Sequence, residues 1–167
     1  MKTNLLIVSL LFASLVESTA GTNPESERQI LGLHLDRPRA EAVKRLQEIG
    51  TFSRNERKRQ EIWEIRNPSF SHIAIGFDEK DTVRYVTAIA REDKEATRVA
   101  YDEVGNLERA RQAGDAKIQN LHYEWTLEAE EGHPKTLVSA RGRDPKFLST
   151  LSLKRLGNSE DVEDKKE

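Results

Sequence analysis

The sequence predicts an α+β fold in which an antiparallel β-meander sheet carries helices on one face. Three observations predict it. Ile73, Ile75 and Phe77 alternate with His72, Ala74 and Gly76. Past the polar turn Asp78-Glu79-Lys80-Asp81, Val83, Tyr85 and Ile89 share one face. Period-two alternation on both sides of a turn is a hairpin signal. Upstream, Val43, Leu46 and Ile49 recur at three-residue spacing among charged residues, which is the pattern of an amphipathic helix.

The elements follow in order. Lys2 precedes an apolar run, Leu5–Val16, and Ser18-Thr19-Ala20 supplies small residues before Gly21. This is the layout of a secretory signal peptide cut after Ala20. The run is about a dozen residues, short against the roughly 20 of a membrane span. The expectation is an exported protein, periplasmic or extracellular, with no transmembrane segment after cleavage. Residues 21–35 read as a leader, loose over Gly21–Gln29 and then a short strand or an extended entry segment over Ile30–Leu35. Asp36 reads as an N-cap and Pro38 as a first-turn residue. A helix is predicted over Arg37–Ile49, with Gly50 as its stop.

Thr51–Gln60 reads as a polar connection carrying Arg54, Arg57, Lys58 and Arg59. A strand over Glu61–Arg66 puts Trp63 and Ile65 on one face. Asn67-Pro68-Ser69 is a turn, and the hairpin Ser71–Arg91 follows. The stretch from Glu92 is harder to read, and a short helix is predicted over Val104–Ala113. Leu121–Ala129 alternates cleanly, with Tyr123 and Trp125 inward and His122 and Glu124 outward. Strands are predicted at Lys135–Arg141 and Phe147–Lys154. Residues 157–167 hold five acids and two lysines with one apolar residue, the composition of a disordered tail. The domain is therefore 36–156. It also reads as two helix-plus-three-strand units, 36–91 and 93–154. The aromatic and aliphatic stripes predict a shared core of Trp63, Ile73, Ile75, Phe77, Tyr85, Trp125 and Leu127.

Composition narrows the function. Signal cleavage removes one base (Lys2) and one acid (Glu17), so the net charge stays at −2. A dedicated nucleic-acid binder would carry a basic excess. With no cysteine, disulfides, thiol nucleophiles and cysteine metal sites are excluded. The four histidines, His34, His72, His122 and His133, have no metal-ligand spacing. His72 and His122 could form a two-histidine site if their strands were neighbours; two exposed strand histidines is the plainer reading. No GxSxG, phosphate loop or SxxK occurs. No catalytic residue, metal or cofactor is assigned.

The segment LGLHLDRPRAEAVKRLQEIG (Leu31–Gly50), followed by a meander with the turn FDEKDTVRYV, resembles the SmpA/OmlA and β-lactamase-inhibitor-protein-like group of small exported α+β domains. Leu33, Leu35, Asp36, Val43, Leu46 and Gly50 carry the likeness, which covers Ile30–Arg91. It implies a protein that presents a sheet or loop surface to another protein. The lipidation cysteine and the disulfides of that group are missing here, and no inhibitory loop maps onto the chain. The expected function is thus a non-enzymatic interaction module whose partner is another envelope or secreted protein. Its expected surface is the solvent side of the sheet with Arg57, Lys58, Arg59, His72, Arg84 and His122. The alternatives are a small envelope hydrolase or metal-dependent enzyme, with two histidines converging on a carboxylate, and a small-ligand carrier with a cleft between helix and sheet.

Overall fold

A computed structural model describes residues 26–93, 96–112 and 121–157. The predicted signal peptide, the first residues of the leader and the segment 158–167 lie outside the described residues.

Ser26–Gln29 is built into a turn and a strand, in contrast to the loose stretch predicted, and Ile30–Leu35 contributes to two short strands. A 3-10 turn at Ser26–Arg28 runs into β1 (Gln29–Ile30), which pairs with β2 (Leu33–His34). Leu31 and Gly32 between them both take positive φ, 54° and 80°. Two left-handed residues form the tight loop whose twist matches a hairpin. Ile30, Leu33 and Leu35 are buried, so the hairpin is a plug in the core rather than a lead-in.

Helix α1 spans Arg39–Ile49, and Pro38 occupies its N-cap position. Asp36 does not cap it. Its φ is 60°, its N–H donates to the Val83 carbonyl, and its carboxylate receives Arg155. Ala42 and Leu46, one turn apart, form the buried stripe. Gly50 leaves the helix in an extended conformation and begins a strand at once.

That strand, β3 (Gly50–Arg57), replaces the polar connection predicted at Thr51–Gln60. After Gly50 every residue of it is exposed, so no alternation marks it in the sequence. It is an edge strand, paired only with β4 (Gln60–Ile65) and interrupted by two register shifts. β5 (Phe70–Phe77) and β6 (Val83–Ala90) complete the first meander. The second comprises β7 (Arg111–Gln112), β8 (Leu121–Leu127), β9 (Thr136–Gly142) and β10 (Thr150–Arg155). All pair antiparallel in one eight-stranded sheet, ordered β3-β4-β5-β6-β10-β9-β8-β7. The two meanders therefore meet along β6 and β10, their last strands.

The fold is a sheet-rich α+β arrangement with one α-helix among the described residues. The second predicted helix does not form over its described part. Tyr101–Glu103 and Leu107–Arg109 are 3-10 turns, and β7 follows. Gly105 lies between them with the Trp125 ring against it, where a Cβ would clash. A mid-segment glycine costs a helix about 1 kcal/mol. The Asn106 side chain accepts from the Glu108 N–H, which favours a local turn over a continuing helix.

One face of the sheet holds the core. Trp63, Ile73, Ile75, Phe77, Val86, Ala88, Leu151, Leu153, Val138, Ala140 and Trp125 are buried there under Leu46, Ile30, Leu33 and Tyr101. Both tryptophans belong to it, as predicted; Leu127 only packs against its rim. Tyr85 does not belong. Its pairing with Gly76, followed by Val83 opposite Phe77, leaves Arg84 as a bulge. The bulge reverses the parity of β6. Val83, Val86, Ala88 and Ala90 face inward, Tyr85 turns to the other side, and Ile89 is 39% exposed.

Candidate functional site

The second face of the sheet carries no described helix or hairpin. Its residues form rows set by the strand register. Glu64, His72, Ile89, Thr150, Arg141 and His122 stand in one row across six strands. Ala74, Thr87, Ser152, Ser139 and Glu124 form the next. Small and hydroxyl side chains hold the middle, with Thr87 Oγ1 and Ser152 Oγ 2.9 Å apart across the junction of the meanders. Charge concentrates towards two corners.

The first corner is basic. Arg57 ends β3 opposite Gln60, Lys58 and Arg59 form the turn, and Arg84 is the bulge. The four gather with Tyr85 and Arg155 around a cleft of about 640 Å³. Five cations and two carboxylates, Asp78 and Glu79, line it. Arg59 reaches Glu79 at 3.4 Å, while Arg155 bridges Asp36 (2.6 Å) and Asp78 (2.9 Å). Arg57, Lys58 and Arg84 make no ion pair with a described residue. Tyr85 lies over Gly76, where any Cβ would enter its ring. Burial raises its phenol above the ordinary value, and Arg57 and Arg84 pull the other way.

Asp78 organises the floor of this corner. Its Oδ1 accepts from the N–H groups of Lys80 and Thr82, and its Oδ2 from the Thr82 hydroxyl and Arg155. Burial alone would raise this carboxyl. The Thr82 contacts, the Arg155 guanidinium and the Lys80 N–H outweigh burial and hold it at about 2.

The second corner surrounds His122, on neighbouring strands β8 and β9. Its Nε2 lies 2.9 Å from Ser139 Oγ and 2.8 Å from Glu124 Oε1, and Arg141 Nε donates to it at 3.1 Å. A serine, a histidine and a carboxylate are thus in contact, but not as a relay. A hydrolytic triad puts the hydroxyl on one ring nitrogen and the carboxylate on the other. Here both converge on Nε2, which Arg141 Nε also approaches, so no imidazole ring links the hydroxyl to the carboxylate. Desolvation and then Arg141 push the imidazole below its ordinary pKa, while Glu124 raises it. The corner is an electrostatic knot that fixes side chains on the sheet.

Of the six residues expected at the surface, Arg57, Lys58, Arg59 and Arg84 come together. His72 and His122 share a row, but β6, β10 and β9 separate their strands. At ~4.8 Å per strand they stand about 19 Å apart, so the two-histidine site does not form. His34 and His133 do approach, with ring centroids 6.4 Å apart. No group of three histidine, aspartate or glutamate side chains able to hold a metal occurs among the described residues. The interval between α1 and the sheet is filled by Leu46, Trp63, Ile65, Ile30 and Leu33. Sequence reasoning missed Tyr85, Arg155, Glu124, Ser139 and Arg141. The outward alternation of β8 placed Glu124 beside His122, but the partners on β9 depend on register.

No family model, curated protein or solved structure matches this chain.

Proposed function

We propose that this chain is an exported, non-enzymatic interaction module that binds an acidic patch on another envelope or secreted protein. The observation that carries the reading is the basic corner. Three cations without described ion-pair partners ring a half-buried tyrosine on the open face of a sheet. A rigid aromatic beside unpaired guanidinium groups is a common anchor for protein contacts. The uncompensated charge would speed encounter with an acidic partner. The resemblance to the SmpA/OmlA and inhibitor-protein-like group, read from Ile30–Arg91, supports the same mode of action.

The test is affinity capture from the exported-protein fraction of the source cells, comparing the chain with two variants. One carries Arg57→Glu, Lys58→Glu and Arg84→Glu. The other carries Lys44→Glu on α1, away from the cleft. The expected result is an acidic protein retained by the chain and the Lys44 variant and lost by the corner variant. Equal capture by all three would overturn the assignment of the site.

A further inference from the structure

Strand register packs the side chains of the second corner into a block. His122 stands opposite Arg141, and Glu124 opposite Ser139, across β8 and β9. Arg111 on β7 stands opposite Glu124 from the other side. The His122 Nε2 atom lies 2.8 Å from Glu124 Oε1, 2.9 Å from Ser139 Oγ and 3.1 Å from Arg141 Nε. A ring nitrogen carries either a hydrogen or a lone pair. Glu124 can bond only to an N–H there, and the Arg141 Nε–H only to a lone pair. The two contacts therefore alternate as hydrogen bonds. We propose that protonation of His122 switches this corner between two bonding states, moving Glu124 from the arginines to the imidazole and Arg141 from the imidazole to Ser139.

Each state gives its groups partners. With the ring neutral, Nε2 accepts from Arg141 Nε and from the hydroxyl of Ser139, a residue only 7% exposed whose O–H needs an acceptor. Glu124 then stays with the guanidiniums of Arg111 and Arg141, at 3.9 and 4.0 Å. With the ring charged, Nε2–H donates to Glu124 in a charge-assisted bond, the stronger kind. The imidazolium repels Arg141, whose Nε has Ser139 Oγ at 3.3 Å as its second acceptor. A hydroxyl rotates to serve in either role. Among the described residues, the charged groups that face the ring are Arg111 on β7, Glu124 on β8 and Arg141 on β9. Desolvation and then Arg141 oppose the charged ring and outweigh Glu124, so the transition falls below the ordinary 6.5. On the acid side of it, Glu124 turns to the ring and the two guanidiniums lose their shared carboxylate.

The test is a titration of the full chain from about pH 8 to about pH 5. Nitrogen-15 spectra read the ring nitrogens of His122 and the Nε–H of Arg141. Above the midpoint, Nε2 should resonate as a bare, hydrogen-bonded nitrogen, with the ring hydrogen on Nδ1. Through the midpoint, Nε2 should gain a hydrogen, and the Arg141 Nε–H should shift in step with it. A neutral ring that already carries its hydrogen on Nε2 would overturn the proposal. So would an Arg141 signal that ignores the His122 midpoint. Two variants move the same equilibrium in opposite directions. Glu124→Gln should lower the midpoint and Arg141→Gln should raise it, each by about one unit. A midpoint unmoved in both variants, with the amide signals of β9 and β10 in place, would show that neither side chain exchanges partners with the ring.

Discussion

Single side chains hold this fold at points where charge enters the protein. Glu61 is 5% exposed on the core face, where a bare carboxylate would be costly. Arg39 Nε and Nη2 clasp its Oε1 from α1, and Trp63 Nε1 donates to Oε2 at 2.9 Å. The helix is thereby keyed to β4 through a buried acid. Asp78 does the same for the β5–β6 turn, and its low pKa has a thermodynamic consequence. The folded value of about 2 lies below the ordinary 3.8. A carboxyl depressed on folding adds stability above its unfolded pKa and loses it as pH falls through the folded value. Thermal melts should therefore show stability dropping between about pH 4 and pH 2. Asp78→Asn should lower the melting temperature at neutral pH and flatten that acid limb. An unchanged acid limb in the variant would show that other carboxylates set it. The strand predicted over Glu61–Arg66 already puts Glu61 on the face of Trp63, whereas Arg39 with Glu61 and Asp78 with Arg155 become partners only once packing and turn geometry are fixed.

At the scale of elements, the legible parts were those where one face is apolar and the other polar. α1, β4, β5, β8 and the turns at Asn67 and Asp78 fall where alternation and turn residues put them. The failures share a physical cause. β3 buries no side chain after Gly50, so it has no pattern to read. β6 contains a bulge, and one extra residue moves Tyr85 and Ile89 to the face opposite the one that strict alternation predicts. The segment before β7 holds helix-compatible residues, but Gly105 and the Trp125 ring break it into turns. β3 is also the long exposed edge of the sheet, and its two register shifts and the charges of Arg54, Glu56 and Arg57 are the features that keep such an edge from pairing with another chain. Replacing Arg54, Glu56 and Arg57 with valine should produce concentration-dependent association in sedimentation velocity. A variant that stays monomeric at all concentrations would show that the bulges alone protect the edge.

For the whole molecule, the arrangement that matters is two meanders joined along β6 and β10, with the helix, the hairpin and the 3-10 turns on one side. Among the described residues, that leaves the other side of an eight-stranded sheet as a broad surface with charge at its corners. The basic run at 54–59 was visible in the sequence, but its meeting with Arg84, Tyr85 and Arg155 depends on the bulge and on β10 lying beside β6. We propose that this corner recognises acidic protein surface. The most direct measurement is a residue-resolved amide spectrum of the chain titrated with polyglutamate at about 50 and about 300 mM salt. Shifts confined to Arg57–Gln60, Arg84 and Tyr85 and the residues leading to Gly157, weakening at the higher salt, are expected. Shifts spread over α1, or binding indifferent to salt, would contradict it.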